Sequence, residues 1–408
     1  MTTPPKATAP SIVDAIRRQN AGREAERLAL KYAKMKESPF VFLRGACHLF
    51  YDALPDTPAL AEAPLAWCCG DLHFENFGSY KADNGLVYFD INDYDEAALA
   101  PCAWDIVRLL TSIRCGAGAL NATDAEALAV SRDCLAAYRD ALLRGKPLWV
   151  ERDTAGGLVR ELLDALRERS RAEFLDRRTT RSAGRRRLKV DGIKALPADD
   201  AQRRQVVDFM DGFAAAQPTP GFFKVLDVAR RIAGTGSLGV VRYVVLVEGK
   251  GSPDGNYLLD LKEAKPSALA PHLHRLGIAQ PHAADEAQRV VGVQKRLQAV
   301  DHAFLFAVDF TGLPCILKRL QPAEDRVAGD DWKKSGHKLD RLRDLAATMG
   351  RILAWDQLRA SGRSGAASAD ELAAFAQGAA WCDAVLETAG IMTKETEIQW
   401  KAFCQAKL

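Results

Sequence analysis

The sequence predicts an α+β protein in which a small β-rich lobe lies between two parts of a helical lobe. Residues 225–320 contain β-branched and aromatic runs separated by glycine-rich turns, a pattern typical of antiparallel strands. The chain on either side carries apolar residues at helical spacing, apart from one short hairpin pattern. A length of 408 residues is enough for two or three domains or lobes.

Composition changes divide the chain into four segments. We expect a tail and a surface helix in residues 1–33 and the first part of the helical lobe in residues 34–224. The β-rich lobe follows in residues 225–320, and the rest of the helical lobe in residues 321–408. The stretch 218–221 (PTPG) marks the boundary before the β-rich lobe, because Pro and Gly end regular elements.

Bulk composition excludes several classes of protein. The hydrophobic content of 48% and the charged content of 27% are ordinary for a soluble globular protein, and a net charge of +3 favours no polyanionic partner. No run of 18 apolar residues exists, so we expect no membrane span. Nine cysteines without a Cys-x-x-Cys motif favour buried thiols in a reducing cytoplasm. The sequence leaves the oligomeric state open.

The helices outside the β-rich lobe follow from apolar spacing and capping signals. Ser11 with Asp14 resembles a capping box, Pro39 ends the helix before it, and Thr123 with Asp124 is a plausible cap. Helices are predicted near residues 11–32, 46–54, 101–119, 124–144, 158–173, 281–300, 339–360 and from 369 onward. Two further strands are predicted within residues 304–320, around Thr311-Gly312.

The densest group of polar residues lies between Trp67 and Glu96. It holds two motifs, GDLHFEN (residues 70–76) and DINDYDE (residues 90–96), separated by an Asn-Gly turn and a short apolar run. Asn-Gly between apolar flanks is the strongest short hairpin signal. The hairpin is therefore expected to bring both motifs to one end of a small sheet, where both can face one metal ion.

An Asp-x-x-x-x-Asn motif followed by a strand that ends in Asp is typical of kinase-type phosphotransferases. In these enzymes the first Asp accepts the proton of the attacking hydroxyl, while the Asn and the later Asp bind Mg²⁺ on the nucleotide phosphates. The pattern makes Asp71 the base, Asn76 a metal ligand and Asp93 the main metal ligand. Asp90 and Asp95 compete for that last role. Either motif alone is expected by chance in a chain of this length, so the interpretation depends on the pair.

A second motif, GTGSLG (residues 234–239), lies between two β-rich runs. Such a motif opens a dinucleotide-binding fold only where a helix follows, and here residues 240–247 are strand-like. A turn and a third strand-like run then end at Lys262. Strand, glycine-rich loop, strand, turn and a strand with Lys form the roof of a kinase nucleotide site. The predicted phosphate contacts are Gly234, Thr235, Gly236, Ser237, Gly239 and Lys262.

Four residues near these motifs have alternative interpretations. Lys262 and Lys265 are competing candidates for the lysine that contacts the phosphates. Lys262 could instead be a solvated lysine at a sheet edge. Glu286 could orient Lys262, or lie on the surface in the first turn of its helix. Arg44 is interpreted as a member of a structural ion pair in preference to a residue that binds a phosphate or carboxylate ligand. Asp105 could cap its helix, or hold the backbone of the first motif.

The segment Arg177–Lys189 is the one strong run of basic residues. It has no interleaved aromatic residues on which bases could stack, so nucleic-acid binding is not favoured. A solvated loop is the default interpretation. A site for an acidic or phosphorylated ligand is the alternative.

The two motifs occur in the reverse of the usual kinase order, since the glycine-rich loop and its Lys follow the proposed base. With SPFVFLRG, GDLHFENFG, DINDYDEA, AWDIVRL, GTGSLG and LKEA, residues from about 34 to 360 resemble the bacterial family called domain of unknown function 2252. That family is grouped with protein-kinase-like and aminoglycoside-phosphotransferase-like proteins. The resemblance implies a kinase-like two-lobed fold that is circularly permuted and binds ATP, but it supplies no substrate.

The resemblance also bears on individual residues. His73 matches an Asp-x-His pattern of the phosphotransferases and is implied to be catalytic, whereas Cys69 stands where they often have His. The late helix in the family carries a segment like Ala-His-Ala-Arg, but residues 354–359 of this chain are AWDQLR. The missing His affects packing behind the first motif or indicates a divergent activity.

We therefore expect a phosphotransferase that uses ATP and Mg²⁺ and acts on a hydroxyl group of a small-molecule acceptor. Two alternatives use the same site: a nucleotide-binding regulatory protein without turnover, and a nucleotidyltransferase. A third alternative is a binding module that does not use a nucleotide and depends on the basic run. Pyrophosphate release in place of ADP would identify the nucleotidyltransferase.

Overall fold

The computed structural model describes residues 11–118, 122–322, 325–326 and 338–406. Within these ranges the chain is a mixed α+β protein, as predicted. The predicted tail, residues 1–10, and Asn121 near the predicted cap lie outside the described residues. No helix in the described ranges is both long and apolar enough to cross a membrane.

The helical elements alternate with short sheets along the first half of the chain. The α-helices are α1 (Ile12–Gln19), α2 (Ala25–Met35), α3 (Pro39–Gly45), α4 (Cys47–Ala53), α5 (Pro58–Ala61), α6 (Ala103–Cys115), α7 (Asp124–Arg144), α8 (Gly157–Arg167), α9 (Arg171–Asp176), α10 (Asp200–Ala215), α11 (Ala270–Arg275), α12 (Glu286–Leu297), α13 (Lys338–Arg359), α14 (Ala369–Gln377) and α15 (Ala380–Gln405). Short 3₁₀ helices span Phe74–Asn76 and Pro220–Phe223.

The strands form one large antiparallel sheet and three small ones. They are β1 (Leu65–Cys68), β2 (Phe77–Lys81), β3 (Val87–Ile91), β4 (Ala98–Pro101), β5 (Val150–Glu151), β6 (Thr179–Ser182), β7 (Arg185–Leu188), β8 (Ala195–Pro197), β9 (Val225–Arg231), β10 (Arg242–Val247), β11 (Tyr257–Glu263), β12 (Leu305–Phe310) and β13 (Leu313–Leu320).

The large sheet has the strand order β12-β13-β11-β10-β9-β8, with every neighbouring pair antiparallel. The glycine-rich loop connects β9 to β10, and Lys262 lies on β11, as the pattern of strands predicted. The sheet begins before residue 225, because β8 pairs with β9. Helix α10 packs on one face, and α9 with the β6–β7 hairpin packs on the other.

The predicted Asn-Gly hairpin is confirmed as β2 and β3, which pair from Phe77 opposite Ile91 to Lys81 opposite Val87. A second short ladder pairs β1 with β4, so that Cys68 lies opposite Ala98. Residues 69–76 and residues 92–97 therefore connect the same two ladders in opposite directions. This topology forces the two motifs to run side by side.

The helical lobe is built on α6, α7, α13 and α15, which pack against one another around one large apolar core. The cap of α7 is confirmed, because Thr123 and Glu126 exchange the hydrogen bonds of a capping box. All nine cysteines are free thiols, most of them buried, as the absence of paired spacing predicted. The core therefore needs no covalent link.

Two predicted helices are each divided in the structure. The helix expected over residues 11–32 is α1 and α2, separated by a turn in which Gly22 has a φ of +78°. The helix expected over residues 158–173 ends at Arg167, and Ser170 caps α9 with its own capping box. In both places a local capping or turn signal overrode the apolar spacing.

The basic run is a β-hairpin and not the solvated loop expected by default. Strand β6 pairs with β7, and Arg186 turns inward with a fully buried side chain. Its guanidinium lies 2.6 Å from Asp176 and 2.7 Å from Asp254. Both partners lie outside the run, which is why charge density alone suggested a solvated segment.

Candidate functional site

The first loop of the site, residues 69–76, is held from below by Asp105 on α6. The carboxylate accepts hydrogen bonds from the backbone N–H of Cys69 at 2.7 Å and of Gly70 at 3.0 Å. Burial raises the pKa of Asp105 to about 6. Asp105 therefore holds the backbone of the first motif, as one of its two predicted roles required. Gly70 has a φ of +81°, and a Cβ there would overlap the carbonyl oxygen of Glu96.

Asp71, the predicted base, forms a charge pair with Arg108. Its Oδ1 accepts from Arg108 Nε at 3.0 Å and also contacts Nη2. Arg108 has a fully buried side chain and also donates to the carbonyl oxygen of Leu43 at 3.0 Å. Burial raises the pKa of Asp71, and the nearby guanidinium opposes that rise. The pair therefore fixes the carboxylate between α3 and α6.

Arg108 was not predicted as a site residue, although its position in the sequence offered a signal. Arg108 follows Asp105 by three positions, so both lie on one face of a helix that is otherwise mostly apolar. Two charged residues on the buried face of such a helix need partners inside the protein. Those partners are the backbone of residues 69–70 and the carboxylate of Asp71.

Asn76 joins the two motifs. Its side-chain amide donates to the carbonyl oxygens of Asp71 at 3.2 Å and Asp93 at 3.1 Å. The backbone N–H of Asn92 donates to Asn76 O at 2.9 Å and extends the β2–β3 ladder by one step. The predicted base, the predicted Asn ligand and the predicted main metal ligand thus come together at one end of the hairpin.

Of the three acidic candidates in the second motif, Asp93 and Asp95 line the cleft described below. Asp90 is absent from the described residues that line it. Asp90 is buried, interacts with Asp356 and lies near Arg359; burial raises its pKa. The side chain of Asp90 therefore belongs to a buried polar cluster, and Asp93 and Asp95 remain as metal-ligand candidates.

That buried cluster includes the segment in which the family's late-helix His was expected. Asp356 is fully buried, accepts a hydrogen bond from Tyr94 Oη at 3.1 Å and pairs with Arg359 at 2.7 Å. Arg359 also donates to the carbonyl oxygens of Leu297 and Leu148. The segment on α13 therefore supports the second motif from behind through a carboxylate and a guanidinium.

The glycine-rich loop is shaped from both sides. Gly234 and Gly239 have φ values of +68° and +90°, which only Gly adopts at little cost. Arg242 donates to the carbonyl oxygen of Ala233 at 3.0 Å and to Ser237 Oγ at 2.9 Å. These contacts hold the start and the middle of the loop against Arg242 on β10.

The outer side of the same loop is held by the N-terminal segment. Arg23 donates to the carbonyl oxygens of Gly236 at 2.6 Å and Leu238 at 2.9 Å. Lys31 on α2 is buried and also donates to Gly236 O, at 3.0 Å. Burial lowers the pKa of Lys31. Neither residue was singled out in the sequence, since nothing local shows that they meet a loop more than 200 positions away.

One cleft is lined by residues of both motifs. Its lining includes Arg23, Arg44, Asp71, His73, Asp93, Asp95, Glu96 and Lys265, together with Gly234, Thr235, Gly236 and Ser237 of the glycine-rich loop and Lys262 on β11. Four of the predicted site residues do not appear in that lining: Asn76, Asp90, Gly239 and Glu286. A Cβ on Gly236 would lie 4.0 Å from Asp71 Oδ2, so the loop tip lies directly over Asp71.

Lys262 projects from β11 toward the acidic motif. It forms an ion pair with Asp95, and its Nζ lies 3.8 Å from Asp93. Glu286 does not orient it, because its carboxylate pairs instead with Arg289 at 2.5 Å. The competitor Lys265 pairs with Glu263. Lys262 is therefore the lysine that meets the candidate metal ligands.

Arg289 is a further residue that the sequence did not indicate. It donates to the carbonyl oxygens of Asp95 at 2.8 Å, Ala97 at 2.5 Å and Lys265 at 3.0 Å. A guanidinium that bonds three backbone carbonyls fixes the shape of residues 95–97 without using their side chains. It leaves the carboxylate of Asp95 directed to Lys262.

His73 and Arg44 lie at the edge of the cleft next to Asp71. Burial and the nearby Arg44 lower the pKa of His73, which keeps the ring neutral. Its ring meets that of Phe40 edge-on at 6.0 Å. Arg44 pairs with Glu75 at 2.5 Å, as its structural interpretation predicted, and it also lines the cleft.

The cleft has the ligand types for a cation that shares its coordination with phosphate. In the described part of the chain, no three His, Cys, Asp or Glu side chains are arranged to hold a metal ion by themselves. Mg²⁺ bound to a nucleotide takes one or two carboxylates, with phosphate oxygens and water as its other ligands. Asp93 and Asp95 fit that requirement.

Next to Lys262 the face of the sheet is charged. Asp260, two positions earlier on β11, pairs with Arg242 at 2.6 Å and also with Arg231. These three residues and Lys262 line a pocket beneath the sheet, which shares Asp93 and Asp95 with the cleft. The surface beside the glycine-rich loop is therefore charged where β10 and β11 lie next to each other.

Comparison with protein-family models matches residues 23–406 to a family described as an uncharacterized protein conserved in bacteria (DUF2252). Comparison with curated proteins and with solved structures found no match. The matched region includes both motifs, the large sheet and the N-terminal residues that hold the glycine-rich loop. The chain therefore belongs to the DUF2252 family.

Proposed function

We propose that the protein is a phosphotransferase that uses ATP and Mg²⁺ and transfers a phosphoryl group to a hydroxyl of a small molecule. The observation that carries this proposal is the shared cleft. Asp71 and Asp93 come from one end of the chain, and the 234–239 loop and Lys262 come from more than 130 positions later. Base, metal ligand, phosphate loop and lysine are the parts that phosphoryl transfer requires.

The order of elements in the β-rich lobe supports a kinase-like fold. The glycine-rich loop joins the first two strands of the β9–β10–β11 unit, Lys262 lies on the third, and helix α12 follows after the short helix α11. Protein kinases place a glycine-rich loop, a lysine on the third strand and a helix in this order. In this chain the base and metal motifs precede the lobe, which corresponds to a circular permutation.

The ion pairs of the cleft support a division of roles. Lys262 pairs with Asp95 and approaches Asp93. With a nucleotide and a cation bound, Lys262 would pair with phosphate oxygens, and Asp93 and Asp95 would hold the cation. The lysine and the carboxylates would then each keep a charged partner after their own ion pair opens. Asp71, held by Arg108, would position the acceptor hydroxyl and accept its proton. Catalysis would then consist mainly of positioning and charge stabilisation.

The test is calorimetric titration of ATP into the wild type, Asp93→Asn and Asp83→Asn, each with and without Mg²⁺. Asp83 lies exposed at the turn of the same hairpin, so it receives the same chemical change at the opposite end. We expect metal-dependent binding that weakens at least tenfold in Asp93→Asn and changes less than twofold in Asp83→Asn. No binding to the folded wild type at millimolar ATP would contradict the proposal.

A nucleotide-binding protein without turnover is the second candidate. It is favoured by one observation, because the predicted Lys262–Glu286 pair does not form and Glu286 pairs with Arg289. Product analysis separates the candidates: ADP identifies the phosphotransferase, pyrophosphate a nucleotidyltransferase, and binding without product the regulatory protein. If Asp71 is the base, Asp71→Asn lowers kcat by roughly 10²–10⁴ while ATP binding is retained. A loss of less than threefold in the folded variant would exclude that role.

A further inference from the structure

A basic pocket lies outside the catalytic cleft, between the β6–β7 hairpin, β8 and the end of β9. Its cavity volume is about 230 Å³. Among the described residues that line it, the basic ones are Arg177, Arg178, Lys189, Lys194 and Arg231, and the acidic one is Asp191. Its floor is formed by aliphatic side chains of the hairpin and the large sheet. The pocket therefore combines positive walls with an apolar base.

The acidic groups near this pocket are engaged elsewhere. Asp191 accepts from the backbone N–H groups of Ile193 at 2.9 Å and Lys194 at 2.7 Å, and these bonds lower its pKa. Asp176 and Asp254 pair with the inward-facing Arg186. The carboxylates around the hairpin thus neutralise Arg186, or are held by their own turn.

Three basic residues that line the pocket, Arg177, Lys189 and Lys194, carry the positive charge that a ligand would meet. Lys189 donates to the backbone carbonyl of Asp176 at 2.6 Å, a contact that does not cancel its charge. Arg231 shares Asp260 with Arg242. Against Arg177, Lys189 and Lys194, the described lining of the pocket offers one carboxylate, that of Asp191.

The basic pocket adjoins the pocket beneath the sheet, which in turn shares Asp93, Asp95 and Lys262 with the cleft. Arg231 and Leu320 line both the basic pocket and the pocket beneath the sheet that contains Asp93 and Lys262. Ile232 and Ala233, which precede the glycine-rich loop directly, also line the basic pocket. A molecule with one anionic group at Lys262 can therefore extend along β9 toward a second positive site.

We propose that this basic pocket binds a phosphate group carried by a small molecule, at a site separate from the glycine-rich loop. The chemistry of the walls selects a compact polyanion, and the cavity is too small for a folded partner. A single-stranded nucleic acid is disfavoured because none of the described residues that line the pocket is aromatic. The proposal of a phosphate site depends only on the lining of this pocket. Its use for the far end of a ligand in the cleft rests on the proposed function.

The experiment titrates inorganic pyrophosphate, without Mg²⁺, into the wild type and three variants. Lys189→Gln/Lys194→Gln removes two charges from the pocket. Arg185→Gln/Arg187→Gln removes two charges from exposed positions of the neighbouring strand β7 that do not line it, so net charge and salt screening are matched. Lys262→Gln removes the lysine of the cleft.

We expect the pocket variant to bind pyrophosphate at least tenfold more weakly than the wild type, and the β7 variant to stay within twofold of it. Equal losses of pyrophosphate affinity in the two double variants would show that binding follows the overall charge of the protein, and would overturn the proposal. Loss in Lys262→Gln alone would assign the ion to the cleft and would also overturn it. Because pyrophosphate is tested without ATP, failure of the proposed function leaves this result interpretable.

Discussion

At the scale of single residues, the pair of Arg108 and Asp71 determines how the candidate site is held. The guanidinium is fully buried, whereas the carboxylate has an exposed fraction of 23%. Charge pairs of this kind contribute little net stability when intact but are costly to break, because one charge is left without its partner. The pair therefore serves mainly to orient the carboxylate of Asp71. Removing one member should reveal the free-energy cost of leaving the other charge without a partner.

We predict that Arg108→Met lowers the free energy of unfolding by roughly 2–4 kcal/mol, which is below the full cost for a buried pair because Asp71 is partly exposed. Urea denaturation measures this loss. The double variant Arg108→Met/Asp71→Asn should recover part of it, since the unpaired charge is then gone. Losses that simply add in the double variant would show that Arg108 acts only through Leu43 and packing.

His48 supplies a prediction for pH dependence. Burial lowers its pKa to about 4, and its Nε2 is buried without a hydrogen-bond partner. The unfolded chain takes up a proton near pH 6.5, while the folded protein resists until about pH 4. The contribution of His48 to the free energy of unfolding is therefore complete above pH 6.5 and is lost as the pH falls toward 4.

Replacing His48 by Gln should remove this dependence. Between pH 7 and pH 4.5 we expect the variant to lose ~2–3 kcal/mol less stability than the wild type, as measured by urea denaturation at each pH. His274→Gln, at an exposed position, is the control and should follow the wild type. Parallel losses in His48→Gln and the wild type would place the acid sensitivity on other groups.

The sequence predicted which residues of the candidate site come together where those residues belong to a local motif. Asp71, Asn76 and Asp93 occur at a spacing typical of kinase-type phosphotransferases, and the structure brings them together at one end of the β2–β3 hairpin. Arg23 and Arg289 were missed because each acts through backbone carbonyls that are distant in sequence. A side chain that recognises backbone leaves no residue-type signal at the position it contacts.

At the scale of elements, the N-terminal segment and the glycine-rich loop form one unit. Residues 23–31 reach Gly236 through Arg23 and Lys31, and the backbone N–H of Glu24 donates to Gly239 O at 2.8 Å. A Cβ on Gly239 would lie 2.9 Å from Arg23 Cβ, so the two backbones approach as closely as glycine permits. The segment thus limits the motion of the loop that is proposed to cover the phosphates.

We predict that Arg23→Ala loosens this loop. Amide hydrogen exchange in residues 234–239 should become about tenfold faster, because two hydrogen bonds to the loop backbone are lost while the sheet remains intact. Arg18→Ala, at an exposed position on α1, is the matched control and should leave exchange in the loop unchanged. Unchanged exchange in Arg23→Ala would mean that Lys31 and Arg242 hold the loop without it.

The elements also show where sequence patterns have limited power. The hairpin of β2 and β3 was predicted because Asn-Gly sets both the turn and the register. The β6–β7 hairpin was not, because Arg186 is buried against Asp176 and Asp254, which come from other elements. Local propensity indicates an element only when its partners are also local.

At the scale of the whole molecule, chain order and spatial order differ. The parts of the proposed catalytic site in the helical lobe precede the β-rich lobe in sequence, and α13 to α15 complete the helical lobe after it. The two described ends of the chain meet, because Ile16 on α1 and Phe403 on α15 share one buried apolar cluster. A protein whose ends meet tolerates a change in the point at which the chain begins.

A permuted chain that begins at Thr219 and ends at Pro218 tests this view of the fold. Both positions are exposed between α10 and β9, and residues 407–408 followed by residues 1–10 provide a linker of 12 residues between the old ends. The glycine-rich loop and Lys262 would then precede Asp71, as in protein kinases. We expect this chain to fold and to bind ATP with an affinity within about threefold of the wild type, because every contact of the cleft is retained.

Calorimetry with ATP and Mg²⁺ measures that affinity, and circular dichroism confirms folding. A control permutant opened within β11, between Leu259 and Asp260, cuts the centre of the large sheet and should not fold, because it interrupts a strand that pairs on both sides. If the Thr219 permutant folds but loses ATP binding that the wild type shows, the original order has a role beyond connectivity. The connection from α10 to β9, which this permutation cuts, would then be the part of the architecture to examine, because α10 packs on the large sheet that carries the glycine-rich loop and Lys262.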